Sequence, residues 1–308
     1  WKNYGITETG YAKSLDDKGN IILTARLPYN MQMTPVIDVT DYGEGTLIRL
    51  ETDHIMGGSE PCIRAEYITR KGQQRYESLG WMNGEELYVI YPADSDVTIH
   101  SIGYRETGFG CEREGAFTCS DEMVNRFWEK AMRTLYVNMR DTYFDCPDRE
   151  RAQWWGDVTS EMIMTMYSMD SNSYLLYQKG VEAMLSHVDD SKVLQTVVPI
   201  SGDYFELPIQ QLAGITGFYT YYEYTGDKAF LEKIYDASLD YLKLWEIGEN
   251  NLVVHRGGSW DWADWGSKAD MTAIENAWVY YAFSAVERMA ELLEKDEDIP
   301  FIAERKET

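Results

Sequence analysis

The spacing of apolar and polar positions changes once along the chain, near residue 118. Before that point, short runs rich in β-branched and aromatic residues alternate with turn clusters. Ile21–Leu27, Thr46–Glu51, Cys62–Thr69, Glu86–Tyr91 and Val97–Tyr104 read as strands. Stretches such as Asp16-Asp17-Lys18-Gly19-Asn20 and Met56-Gly57-Gly58-Ser59 separate them as turns. Regular short strands of this kind predict an antiparallel sandwich. After Ser120 the period becomes helical: Val124, Phe127, Trp128, Ala131, Met132 and Leu135 share one stripe. Ser120, with Asp121 and Glu122 behind it, marks the start of that helix. Further helices are predicted near 157–169, 173–187, 206–225, 228–246 and 270–295, giving six in all. Gly226-Asp227 is a tight break that folds two of them into an antiparallel hairpin.

Composition narrows the partners. The chain has 308 residues, 44% of them hydrophobic, enough for a real core. No apolar run approaches the roughly 18 residues of a membrane span. Against 28 Lys and Arg stand 52 Asp and Glu, a net charge of −24. Such a surface repels phosphate backbones, which excludes nucleic acid and anionic membranes as natural partners. A neutral sugar is indifferent to that charge. The 23 Tyr, 10 Trp and 9 Phe include flat faces that could stack on sugar rings, although most are expected in the core. Cys62, Cys111, Cys119 and Cys146 form no CxxC pair; Cys111 and Cys119 could close a small loop, although free thiols are expected. His54, His100, His187 and His255 are far apart in sequence and show no metal-ligand spacing; no cofactor is expected, and a structural metal held by carboxylates and carbonyls is left open. The chain opens on Trp1 without a basic-then-apolar leader, as after processing or after a cut inside a domain.

One segment carries recognisable chemistry, Asp145-Cys146-Pro147-Asp148-Arg149-Glu150-Arg151-Ala152-Gln153-Trp154-Trp155-Gly156-Asp157. Pro147 keeps the residue before it out of the helical region, which puts Asp145 and Cys146 on a loop. If a helix begins near Arg149, then Glu150, Trp154 and Asp157 share one face and Asp145 reaches in from the loop. A glycosidase needs such a group: one carboxyl to protonate a departing oxygen, others to grip hydroxyls, and an aromatic plate. Trp154 and Trp155 would desolvate Glu150, and Asp145 and Asp157 would repel its anion, both favouring the protonated acid. Arg149 and Arg151 would act in the opposite direction if turned inward. On spacing alone, a helical first turn with surface-paired arginines explains the run equally well.

Phe117-Thr118-Cys119-Ser120-Asp121-Glu122, Arg140-Asp141-Thr142-Tyr143-Phe144-Asp145-Cys146-Pro147, Arg149-Glu150-Arg151 and Trp154-Trp155-Gly156-Asp157 together resemble the opening of the catalytic domain of glycoside hydrolase family 78, the α-L-rhamnosidases. A looser similarity continues through Leu207-Pro208, Tyr224-Thr225-Gly226-Asp227, Asp261-Trp262-Ala263-Asp264-Trp265 and Thr272–Phe283. The resemblance implies a multidomain β + α chain: a β-sandwich over residues 1–116, incomplete at its N-terminus, then the N-terminal half of an (α/α)6 six-hairpin barrel over 117–308. It implies Glu150 as general acid, and Asp145, Arg149 and Asp157 as substrate-binding residues. Trp154 would line the pocket, expected as a half-exposed ring in a cleft, whereas Trp128 and Trp278 are expected in the core. Asp264 and Trp265 fall where the family places a second aromatic wall. Where many members carry an extra acid just before the catalytic Glu, this chain has Arg149. The implied reaction is inverting, exo-acting release of terminal α-L-rhamnose, in a periplasmic or secreted setting, with a cytoplasmic one left open. The general base is expected beyond Thr308, so the chain by itself is expected to be inactive. Another six-hairpin glycosidase, such as a uronide hydrolase, and a non-catalytic sugar-binding relative are the alternatives.

Overall fold

The structure is a computed structural model and describes residues 4–54, 64–200, 206–256, 261–263 and 269–308. Among these residues eight strands come first: β1 (Ile6–Thr9), β2 (Ala12–Leu15), β3 (Asn20–Asp41), β4 (Leu47–Thr52), β5 (Arg64–Ile68), β6 (Gly72–Glu77), β7 (Met82–Pro92) and β8 (Val97–Glu106). Every pairing is antiparallel, along the path β1-β8-β3-β7-β4-β5, with β2 and β6 added to β3.

The long β3 organises this sheet. Its first half lies between β2 and β7, and its last part between β6 and β8. The β3–β7 register shifts between Arg26 and Met31, where Pro28 has no N–H to give to a ladder. One apolar cluster takes Ile21, Leu23 and Ala25 from before the break and Met33, Ile37 and Val39 from after it. Ile48, Leu50, Val89 and Ile102 are among its other members. A sheet that encloses one core with both halves of a long strand is consistent with the expected sandwich.

Seven helices follow among the described residues: α1 (Glu122–Val137), α2 (Trp155–Ser168), α3 (Ser173–Ser186), α4 (Pro208–Thr225), α5 (Lys228–Lys243), α6 (Met271–Leu293) and α7 (Ile299–Glu307). Asp121, not Ser120, caps α1, accepting a hydrogen bond from the Met123 amide at 2.8 Å. Gly226 ends α4 at φ 69°, a left-handed position that costs glycine nothing, and Asp227 then caps α5 through the Phe230 amide. The tight break read at Gly226-Asp227 therefore has a physical cause at each residue. The short α7 was not anticipated.

The chain divides into two compact units. The first takes the described residues up to Gly110, with Phe117–Arg140 and Cys146–Arg151; the second takes Cys111–Ala116, Asp141–Asp145 and those from Ala152 onward. In the first unit α1 rests on the sheet, where buried Gln32 donates from Nε2 to the Val137 and Met139 carbonyls. Only the C-terminal part of the α1 stripe is buried, at Met132 and Leu135; Phe127 remains 73% exposed and Trp128 is half-buried. In the second unit α4 packs against both α2 and α6, and α5 against α3 and α6. Most of α4 is buried, including Gln210 and Gln211, as an interior helix must be. Trp278, expected in the core, is half-buried too. It lies off the buried stripe of Val279, Phe283 and Val286, on the more exposed side of α6, where Tyr280 and Tyr281 also face solvent.

Candidate active site

The acid run folds differently from the helix drawn through it above. Pro147 through Glu150 form a turn, Arg151 sits at φ 50°, and α2 begins only at Trp155. Glu150 is thus on a turn and not on a helical face shared with Trp154 and Asp157. The reason is local. Pro147 blocks helical backbone before it, and the left-handed Arg151 ends the turn before a helix can propagate. The loop closes on itself: the Asp145 amide donates to the Ala152 carbonyl at 3.0 Å, and Asp145 Oδ1 accepts from the Ala152 amide at 3.1 Å. Asp145 therefore fastens the base of the loop whose tip bears the acid.

Within the first unit, the Glu150 side chain is 28% exposed and its carboxylate is ion-paired with Arg149. The Cys146 thiol donates to Glu150 Oε2 at 2.9 Å. Burial, and then the neighbouring Glu150, raise the pKa of that thiol, so it stays protonated and able to donate. Arg151 is directed elsewhere: its guanidinium lies 3.5 Å from the Trp81 ring centroid and donates to the Pro147 and Trp81 carbonyls. Cys111, Cys119 and Cys146 are free thiols; Cys62 lies outside the described residues.

In the second unit, Trp154 is half-buried at the N-cap of α2, and Asp157 is in the first helical turn. Trp155 is fully buried, edge-on to Tyr177 and Phe218. A buried polar frame holds this corner. The Trp155 amide donates to the Thr196 carbonyl at 3.1 Å, Gln153 Nε2 to the Val198 carbonyl at 3.0 Å, and the Gly156 amide to Gln210 Oε1. Gln211 Nε2 bonds Leu194 O and Thr196 Oγ1, each at 2.8 Å. Trp262 lies with its indole edge against Gly156, where no Cβ could fit. Trp262, half-buried and at φ 58°, is thus an aromatic beside α2 that the sequence did not single out as a site residue. Asp264 and Trp265, named instead, lie outside the described residues.

Next to Trp262 a second charged group forms. His255 Nδ1 is 2.8 Å from Glu275 Oε1, and His255 Nε2 is 3.7 Å from Asp261 Oδ2. Arg256 and the Tyr241 hydroxyl both bond Glu206. Burial raises the Asp261 carboxyl above the usual carboxylate range; His255 opposes this and Glu206 adds to it. Among the described residues, buried Asp261 Oδ1 has no hydrogen-bond partner. A raised acid pKa costs stability above that pKa, and the cost disappears as pH falls and the folded form takes up the proton. Asp261→Asn is therefore expected to raise the Tm at neutral pH and to lose that advantage as pH approaches about 4. Thermal melts across that range check it; a variant less stable than wild type at neutral pH would contradict the reading.

Comparisons with known proteins agree on one family. Residues 112–307 match the bacterial alpha-L-rhamnosidase 6 hairpin glycosidase domain. A curated alpha-L-rhamnosidase of Formosa agariphila is 24% identical over 202 residues, 59% of this chain and 21% of that protein. The crystal structure of the GH78 family rhamnosidase of Bacillus sp. GL1 superposes with a TM-score of 0.84 at 22% identity, covering 97% of this chain and 32% of its own. The alpha-L-rhamnosidase of Dictyoglumus thermophilum follows at 0.80 and 20% identity, covering 98% and 35%. The chain thus spans about a fifth of the curated relative and a third of these solved chains. With well over half of its residues matching that family model, and the acid run inside the matched residues, the chain belongs to the bacterial alpha-L-rhamnosidase six-hairpin glycosidase family.

Proposed function

We propose that the protein bearing this chain is an exo-acting, inverting glycoside hydrolase that releases terminal α-L-rhamnose. The observation that carries the reading is Glu150 at the tip of a closed turn within the matched glycosidase domain, its side chain reachable from solvent. Glu150 acts as the general acid that protonates the departing oxygen. Asp145, Arg149 and Asp157 hold sugar hydroxyls, and Trp154 and Trp262 cover the apolar side of the ring. Asp264 and Trp265 are proposed to extend that wall. The arginines of the site are engaged with Glu150, Trp81 and Glu206. That supports a neutral 6-deoxy sugar over a uronide, whose carboxylate would seek such charges.

The proposed frame is a β-sandwich over residues 1–116 and the N-terminal half of an (α/α)6 barrel over 117–308. Support comes from the packing of α4 between α2 and α6, with α5 against α3 and α6. Inversion requires a second carboxyl roughly 6.5–9.5 Å from the acid, leaving room for water. Proton NMR of the sugar released by the whole protein tests the mechanism: β-L-rhamnose should form first and mutarotate later. Initial release of the α-anomer would overturn inversion, and cleavage within a rhamnan chain would overturn exo action.

A further inference from the structure

The turn that carries Glu150 is fastened at two points to the sheet unit of which it is part. One is Arg151 on Trp81, described above. The other is a pair between His54, just after β4, and Asp148, two residues before Glu150. His54 Nδ1 is 2.7 Å from Asp148 Oδ2, with both side chains about a quarter exposed, at 26% and 23%. Among the described residues, the other oxygen of Asp148 is buried and has no hydrogen-bond partner. His54 therefore offsets charge on a carboxylate that is mostly withdrawn from water. On the other side of the ring, His54 Nε2 is 3.5 Å from Asn30 Nδ2, and Asn30 Oδ1 is buried without a donor among the described residues. Turning that amide over would give a protonated imidazole an acceptor at each nitrogen. Among the described residues, the charged groups acting on His54 include Asp148, Asp53 and Glu85, all acidic. The Asp148 hydrogen bond is the chief cause of its raised pKa, and burial opposes it.

We propose that His54 is a positioning residue, which holds the acid-bearing turn through Asp148 and so fixes where Glu150 presents its proton. The proposal rests on the assignment of Glu150 as general acid. With His54 on one side and Trp81 on the other, Asp148 and Arg151 are both held, and Glu150 lies on the short arc between them. Proton transfer depends steeply on where donor and acceptor sit, and a displacement near 1 Å can cost about 10²-fold. In this proposal the effect passes from His54 through Asp148 and the turn to Glu150.

The test is kinetic and uses the whole protein that bears this chain, with two rhamnosides: an activated aryl one and one with a poor leaving group. His54→Ala should lower kcat on the poor leaving group by about 10–100-fold and on the activated one by less than about 3-fold, with KM little changed. His54→Gln, whose amide still donates to Asp148, should recover most of the loss. Asp148→Ala, which removes the acceptor, should behave like His54→Ala, and the double variant should be no worse than either single one. Equal losses on both substrates, or no recovery by His54→Gln, would overturn the proposal and leave His54 a stability residue. Glu150→Gln is measured alongside. If its loss depends on the leaving group while that of His54→Ala does not, the positioning role fails and the acid assignment stands. If Glu150→Gln shows no such dependence, the acid assignment fails and takes this proposal with it.

Discussion

Glu150→Gln is expected to cut turnover of rhamnosides with unactivated aglycones by about 10²–10⁴-fold in the whole protein while leaving sugar binding nearly intact. The substitution keeps the side chain's length and its acceptor oxygen, so the Cys146 thiol at 2.9 Å can still donate to it. The lost parts are the titratable proton and the charge that Arg149 meets. A leaving group that departs without protonation should hardly feel the change, so an activated aryl rhamnoside should lose far less. Asp145→Asn and Asp157→Asn should behave differently. Each weakens binding and turnover together, whatever the leaving group, because their partners would be hydroxyls. Asn at 145 can still accept the Ala152 amide, so this variant should keep its loop. Steady-state kinetics on the two substrate classes separates the roles. If Glu150→Gln slows both classes equally, Glu150 binds sugar and the proton comes from another group.

The elements that could be read from sequence are those whose burial repeats. The helices beginning at Trp155, Ser173, Pro208, Lys228 and Met271 start within two residues of where the apolar period placed them. Strands β4, β7 and β8 were visible for the same reason. The first half of β3 alternates apolar and polar from Ile21 to Leu27, but Pro28 interrupts the pattern and hid the continuation to Asp41. β2 is exposed throughout, and β6, GQQRYE, is mostly polar, so neither carries a hydrophobic signal. In α7 the signal was Pro300 near its start, a residue at home in a first helical turn, although a nine-residue charged segment shows little periodicity.

The site divided along similar lines. Pro147 correctly placed Asp145 and Cys146 on a loop, because proline restricts its neighbour whatever the tertiary context. The late start of α2 was hidden, since it depends on Arg151 adopting φ 50°, which no side chain other than glycine's advertises. Trp262 and Trp265 are indistinguishable by composition. Only the packing of an indole edge against Gly156 identifies the first of them as part of the α2 corner. His54 is a lone histidine nearly a hundred residues from the acid run, and its pairing with Asp148 is a product of folding alone.

That contact with Gly156 sets the second large effect. Gly156→Ala is expected to destabilise the protein by about 1–3 kcal/mol, the usual cost of overpacking a filled interior. Local propensity argues the other way, since alanine is preferred over glycine within a helix by roughly 0.5–1 kcal/mol. Packing should win because the position is buried and the new methyl would run into two groups at once. One is the far edge of the Trp262 indole; the other is Gln210 Oε1, which accepts the hydrogen bond of the Gly156 amide. That amide is among the first N–H groups of α2, which have no acceptor inside the helix, so moving Gln210 leaves it exposed to loss. Trp262 is itself held at φ 58°, a backbone state that is uncommon outside glycine and persists only where surrounding contacts enforce it. Shifting the indole should therefore weaken sugar binding, seen as a raised KM, as well as lower the Tm. A double-variant cycle isolates the cause. In a Trp262→Ala background the indole is gone, and Gly156→Ala should cost much less than it does alone. Equal destabilisation in both backgrounds would show that the contact with Trp262 is not what requires glycine at this position.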